Sequence, residues 1–246
     1  MIKNERIDKV LEIVREEKFV TVESLVERLH YSPATIRRDL TYLADMGFIK
    51  KSYGGVSVAL GQPAVVREHE NTLEKIRVCK CASELINDGD VVFIDGTTTT
   101  YFLGERIIKK KNLVVLTNNL KLASFLFEHG VECYVTGGKV YDGIMLGDAY
   151  AVDTIEKFNI DVAFFSVGAL SKEGLITHSE FYWDLTKTAI RNSKKSVLLC
   201  DKEKFNKKVS RYIADVGTYD VVITDEPLSK EIKSKFKDTE FIVAKP

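Results

Sequence analysis

The sequence lacks the features of a secreted, membrane-spanning or polycationic protein. Its 36 Lys and Arg balance 36 Asp and Glu across 246 residues, so the formal net charge is +0. Any polyanion must therefore be held by cations placed locally. No apolar run approaches the roughly 18 residues that cross a bilayer, and the opening MIKNERIDKV has no leader-like apolar core, so a cytoplasmic protein without a membrane partner is expected. Cysteine is scarce. The four lie at 79, 81, 133 and 200, and the close pair Cys79-Lys80-Cys81 points to different sides of an expected helix. Reduced structural thiols are expected, with no metal and no cofactor. Neither GxGxxG nor GxxxxGK[ST] occurs, which argues against dinucleotide and Walker-type nucleoside triphosphate sites. The remainder is ordinary globular composition, 45% hydrophobic and 29% charged, with no fixed-period repeat.

What is present falls into two patterns. Ile7, Val10, Leu11 and Val14 form one helical stripe, and Val22, Leu25, Val26 and Leu29 form a second behind the N-cap Thr21. A third helix begins at Ser32, whose hydroxyl can cap it, with Pro33 at the position that tolerates a missing N–H. Phe48-Ile49-Lys50-Lys51, a Ser-Tyr-Gly-Gly turn and Val56-Ser57-Val58 then read as a two-stranded hairpin. Three helices and a hairpin predict a winged helix-turn-helix over residues 1–58. Residues 59–71, with Gly61 and Pro63 and no period, are expected to be a linker.

From 72 to 246 the pattern predicts a second domain. A helix over 72–87 is followed by apolar runs at 91–95, 113–117, 133–136, 161–167, 196–201 and 220–225, alternating with helical stretches. Strands this apolar are covered on both faces, so the expected fold class is α/β with a mostly parallel sheet.

Placed at 100° intervals, Ile36, Leu40 and Leu43 share the buried side of the third helix. Ala34, Arg38 and Thr41 point the opposite way, flanked by Thr35, Arg37 and Tyr42. Small, hydroxyl and guanidinium groups on one face suit base edges in a major groove, where Arg pairs bidentately with guanine. Arg38 is the expected base reader and Arg37 the expected phosphate contact, with Ser32 beside them. Lys50, Lys51, Gly54 and Gly55 would carry the wing to the backbone. Residues 1–58 hold ten Lys/Arg against nine Asp/Glu, a balance that opposes strong non-specific binding. It suits a homodimer or homotetramer that gains affinity for double-stranded DNA from repeated half-sites.

Four loops each follow an apolar run: Asp95-Gly96-Thr97-Thr98-Thr99-Thr100, Thr117-Asn118-Asn119, Thr136-Gly137-Gly138-Lys139 and Asp201-Lys202-Glu203-Lys204. In an open parallel sheet they should converge on one edge. A glycine and successive threonines offer free N–H groups and hydroxyls to a phosphate, and Lys204 or Lys139 could add charge. A small phosphorylated metabolite is the ligand expected there.

The stretch TVESLVERLHYSPATIRRDLTYLADMGFIKKSYGGV resembles the N-terminal signature of DeoR-family bacterial transcriptional regulators, with its Thr-Ile-Arg-Arg-Asp-Leu core and Gly-Gly wing. Where that family commonly has Gly-Val before the Ser, this chain has His30-Tyr31. IDGTTT, LTNN, TGGK, Gly147, DVAFFSVGAL with Gly174, and LLCDKEKF resemble the family's C-terminal sensor domain, similar in fold to ribose-5-phosphate isomerase. The resemblance implies phosphate at Gly96 to Thr99 and sugar contacts near Asn118, Asn119, Gly137, Gly138 and Gly168. It also implies a ligand-facing Lys204, with Asp95 taking a sugar hydroxyl and Glu180 a further candidate. It implies a repressor of carbohydrate-metabolism genes whose effector is a sugar phosphate.

The rival reading is an isomerase-like enzyme with an appended DNA-binding domain. Moving a proton between adjacent carbons needs a positioned base, usually a carboxylate. Isomerases of this fold carry Asp-Gly-Ala-Asp-Glu where this chain has Ser166-Val167-Gly168-Ala169-Leu170, so no catalytic residue is expected. His178 is the one substitute base that could be imagined.

Overall fold

The computed structural model describes residues 3–17, 19–45, 49–52, 54–58, 72–141, 143–177, 180–205, 207, 209 and 211–245. The chain divides into two compact units, Met1–Glu70 and Asn71–Pro246. Residues 59–71, expected as a linker, lie outside the described residues, as does His178.

The first unit runs α1 (Lys3–Glu17), β1 (Phe19–Thr21), α2 (Val22–Leu29), α3 (Pro33–Asp45), β2 (Ile49–Ser52) and β3 (Gly55–Val58). The expected two-stranded hairpin is a three-stranded antiparallel sheet, because β1 pairs with β3 and sets Val20 opposite Val56. Three residues are too short for a pattern to announce, so β1 was legible only through its pairing. The apolar stripes of all three helices meet the sheet in one core, where Val10, Val14, Leu25 and Ile36 are fully buried. Thr21 caps α2 by accepting from Ser24 N at 3.2 Å.

The second unit is a seven-stranded sheet in the order β15-β14-β12-β9-β4-β5-β6, parallel throughout. Its strands are β4 (Val91–Ile94), β5 (Val114–Thr117), β6 (Glu132–Val135), β9 (Ile160–Ser166), β12 (Ser193–Cys200), β14 (Val221–Thr224) and β15 (Glu240–Val243). Alternate residues feed two cores. Val92 and Ile94 pack under α4 (Thr72–Ser83), α5 (Tyr101–Ile107) and α6 (Leu120–Glu128), while Phe93 packs under α7 (Ala149–Ile155), α8 (Glu180–Arg191) and α9 (Lys230–Lys235). Helix α4 stops at Ser83 instead of the expected 87, since the next amides bond three residues back. The edge strand β15, the hairpin of β7 (Lys139–Tyr141) and β8 (Met145–Gly147), and the small sheet of β10 (Ala169–Leu170), β11 (Leu175–Thr177) and β13 (Ala214–Asp215) are additions to the sequence reading.

The strand order fixes where a ligand can sit. From β4 the chain steps outward to β5 and β6, then returns to place β9 on the other side of β4. The crevice outside the carboxyl ends of β4 and β9 is the topological switch point.

Candidate functional site

In the first unit the turn before α3 is built by side chains. His30 caps α2 in the left-handed conformation, φ 56°, and its N–H bonds to Val26 O. It thus takes the backbone shape for which glycine is preferred. Ser32 Oγ accepts from Thr35 N at 3.2 Å, and Ser32 O accepts from Ile36 N at 3.1 Å, which starts α3. Ile36, Leu40 and Leu43 are buried, and Ala34, Arg37, Arg38 and Thr41 are exposed, as the helical spacing requires.

The residue after the arginine pair is a different matter. Asp39 is only 1% exposed, and the Arg6 guanidinium reaches it twice, Nε to Oδ2 at 2.6 Å and Nη2 to Oδ1 at 3.0 Å. The same guanidinium lies 5.0 Å over the Tyr31 ring. The fork from α1 therefore holds α3 and the turn before it together, in the geometry that makes Arg–carboxylate pairs directional. A second link runs from the wing: Lys51 Nζ donates to Thr41 Oγ1 at 2.9 Å, and Thr41 Oγ1 donates to Arg37 O at 2.8 Å. Lys50 and Gly54 are exposed, whereas Gly55 is buried against β1, where a Cβ would collide with the Val20 carbonyl.

In the second unit the turn after β4 closes on Asp95. Its Oδ1 accepts from Thr97 N at 3.1 Å, Thr97 Oγ1 at 2.7 Å and Thr100 Oγ1 at 2.6 Å, and its Oδ2 accepts from Ser166 N at 3.0 Å. A carboxylate expected to take a sugar hydroxyl is instead occupied from within, and it ties the ends of β4 and β9 together. Among the described residues the amides of Thr98 and Thr99 receive no acceptor, nor does the Thr98 hydroxyl. Lys204, 13% exposed, reaches into this turn and donates to Thr99 Oγ1 at 2.7 Å and to Ser166 Oγ at 2.5 Å. Cys79 Sγ, from α4, donates to Thr99 O at 3.1 Å beneath it, and burial pushes that thiol well above the ordinary cysteine range.

A winged helix with two outward arginines, joined in sequence to a parallel sheet with a lysine at its switch point, matches two family models. The DeoR-like helix-turn-helix domain covers residues 6–60 and the DeoR C terminal sensor domain covers residues 70–226. The chain belongs to the DeoR family. The glycerol-3-phosphate regulon repressor of Escherichia coli (strain K12) is 30% identical over 234 residues, spanning 92% of each chain. The HTH-type transcriptional regulator GlpR of Haloferax volcanii is 32% identical over 244 residues, spanning 96% of this chain and 95% of its own. Among solved structures, ribose 5-phosphate isomerase a from Methanocaldococcus jannaschii is similar over 57% of each chain, at 17% identity and a TM-score of 0.42.

For this DeoR-family chain the four loops end on one sheet edge, yet only part of the expected set is drawn together. Asn119 Nδ2 donates to Gly96 O at 3.4 Å and its Oδ1 caps α6. Thr117 Oγ1 donates to Ile94 O at 2.7 Å, and Asn118 Nδ2 to Leu146 O at 2.9 Å, so both are buried under the Gly96 turn. Gly96 needs its missing side chain, since a Cβ would stand 2.9 Å from Met145 Cγ. Gly137, Gly138 and Lys139 turn the other way, toward the β7–β8 hairpin. Gly138 has φ 94°, Lys139 N donates to Asp148 Oδ2 at 3.0 Å, and the Lys139 ammonium lies 5.2 Å over the Tyr141 ring. Gly168 is exposed at the end of β9, donating its N–H to Thr177 O at 3.0 Å. Glu180 opens α8; its side chain is outside the described set. Sequence reasoning missed Arg6 and Asp39, whose pairing spans 33 residues, and Ser166, an unremarkable serine until the sheet sets it beside Lys204.

Proposed function

We propose that this DeoR-family chain is a repressor of carbohydrate-metabolism genes that binds double-stranded operator DNA through α3 and is modulated by a phosphorylated sugar in its second unit. The observation carrying the effector half is Lys204, whose ammonium sits within hydrogen-bonding distance of Thr99 and Ser166 beside the unoccupied amides of Thr98 and Thr99. A phosphate oxygen accepts from both kinds of donor, and a partly buried cation near free amides is a site for an anion. On the DNA side Arg38 reads bases, Arg37 meets phosphate, and Ala34, Thr35 and Lys50 line the approach. The relatives named for repression support the sign of regulation, and the glycerol-3-phosphate regulon repressor supports a small phosphorylated effector.

The chain works as a cytoplasmic homo-oligomer without catalysis, because Ser166 to Leu170 hold hydroxyl and apolar groups where an isomerase of this fold needs carboxylates. Effector acts by binding two arrangements of the DNA-binding units unequally, and operator must weaken effector by the same factor. The test is Thr98→Asp, which adds negative charge where the phosphate sits. Operator affinity should stay within threefold of wild type while the response to sugar phosphate is lost. A variant with an unchanged effector titration removes the phosphate from this turn.

A further inference from the structure

The two wing lysines are neighbours in sequence, but the pleat of β2 separates them. Side chains alternate across a strand, so Lys51 shares a face with Ile49, which is 3% exposed, and Lys50 shares the other with Ser52. The register agrees. Lys51 lies opposite Val56, a core residue, whereas Lys50 lies opposite Ser57. The face that carries Lys51 is thus the one turned toward the helices, and its ammonium crosses to α3 to donate to Thr41 Oγ1 at 2.9 Å. Thr41 is prepared for that bond. Its own hydrogen goes back one turn to Arg37 O at 2.8 Å, which leaves the oxygen lone pairs for a donor from outside the helix.

We propose that Lys51 is a positioning residue: it fixes the wing to α3 through Thr41, which takes both residues out of direct DNA contact and leaves Lys50 as the phosphate contact of β2. The proposal rests on the reading of α3 as the DNA-binding helix. An ammonium held on a hydroxyl of its own protein neutralises no phosphate, so it contributes nothing to counterion release. Its contribution is geometric. A wing already set at a fixed distance from α3 needs no ordering when DNA arrives, and that preorganisation shows as affinity. Freeing the wing leaves the number of phosphate contacts unchanged and makes each harder to form. Affinity and salt dependence therefore separate at Lys51, whereas they fall together at Lys50.

The test measures binding of the full chain, across a potassium chloride series, to a duplex that the wild-type chain selects from a random-sequence library. Lys50→Ala should reduce the slope of log affinity against log salt by about 1, the mark of one lost phosphate contact. Lys51→Ala should lower affinity by roughly three- to tenfold at every salt concentration and keep the wild-type slope. Lys51→Met, which keeps the apolar stem, serves the same purpose if the alanine variant is unstable. Thr41→Val, which removes the hydroxyl and keeps the shape, should match Lys51→Ala, and the double variant should bind no more weakly than either single one, since both break one link. Thr41→Ser, which returns a hydroxyl, should restore what Thr41→Val loses. A shallower slope for Lys51→Ala, wild-type affinity in that variant, or losses at Lys51 and Thr41 that simply add would each overturn the clamp and leave α3 as the DNA-binding helix. A library from which wild type selects no duplex overturns both.

Discussion

Asp39 and Asp201 are each 1% exposed, and the two units treat them in opposite ways. In the DNA-binding unit both oxygens of Asp39 are held by one guanidinium. In the sensor unit both oxygens of Asp201 are left without a hydrogen bond. The difference follows from what each unit must do. A reader of DNA gains from a helix fixed in one orientation, so its buried polar group is closed internally. A receptor must keep binding capacity for a molecule that comes and goes, so it can leave some buried polar groups open even where others, such as Asp95, are closed.

The contrast can be broken at several points, the largest expected effect coming from the closed unit. Leu40→Ala removes a buried side chain from the inner face of α3 and should cost about 2–5 kcal/mol. In a core as small as that of the first unit this should appear in urea as a separate early transition, and a single unshifted transition would show that the unit is less self-contained than its packing indicates.

A finer cut separates holding the helix from reading DNA. Arg38→Ala should leave the urea midpoint in place while lowering operator affinity by about 1–3 kcal/mol per half-site and relaxing base preference. Arg6→Ala should do the reverse in order, lowering the midpoint first and operator affinity as a result, because Asp39 is left buried without its partner. Arg6→Lys should recover only part, since an ammonium cannot reproduce the two-pronged contact. Equal behaviour of Arg6→Ala and Arg38→Ala in both assays would erase the distinction.

The smallest effect tests the open unit and has the opposite sign. Burial, above all, holds the Asp225 carboxyl above the ordinary aspartate range. Between the ordinary and the raised value the folded chain binds more protons than the unfolded one, so stability declines as pH rises through that window and stays lower above it. Asp225→Asn removes the decline. Its Tm relative to wild type should therefore grow as pH rises just above the ordinary aspartate range, then level off. A difference that shrinks with rising pH would mean that the carboxylate is stabilised by a partner after all.

The sequence made much of this legible, for identifiable reasons. The recognition helix declared itself through Ser32, Pro33 and the spacing of Ile36, Leu40 and Leu43, all local signals. The strands of the second unit declared themselves as apolar runs, and a parallel sheet sends their following loops to one edge. The strand β1 escaped because three residues carry no period. Asp95 lies on the edge, but its partners within the fold were not legible, since its four donors lie at Thr97, Thr100 and Ser166, the last of them 71 residues away. The TGGK loop resembled its neighbours in composition, but Asp148 holds it toward the hairpin.

By itself the sequence determined the two units, the outward face of the third helix, the sheet edge on which the loops converge and the threonine turn that offers amides. These follow from periodicity, capping and glycine placement, which act over a few residues. Only the tertiary structure decided that Arg6 closes on Asp39, that Lys204 turns to Thr99 and Ser166, and that Asp201 is left open. Those outcomes depend on which side chains arrive at one point from distant strands and helices, and on which donors are already taken when they do.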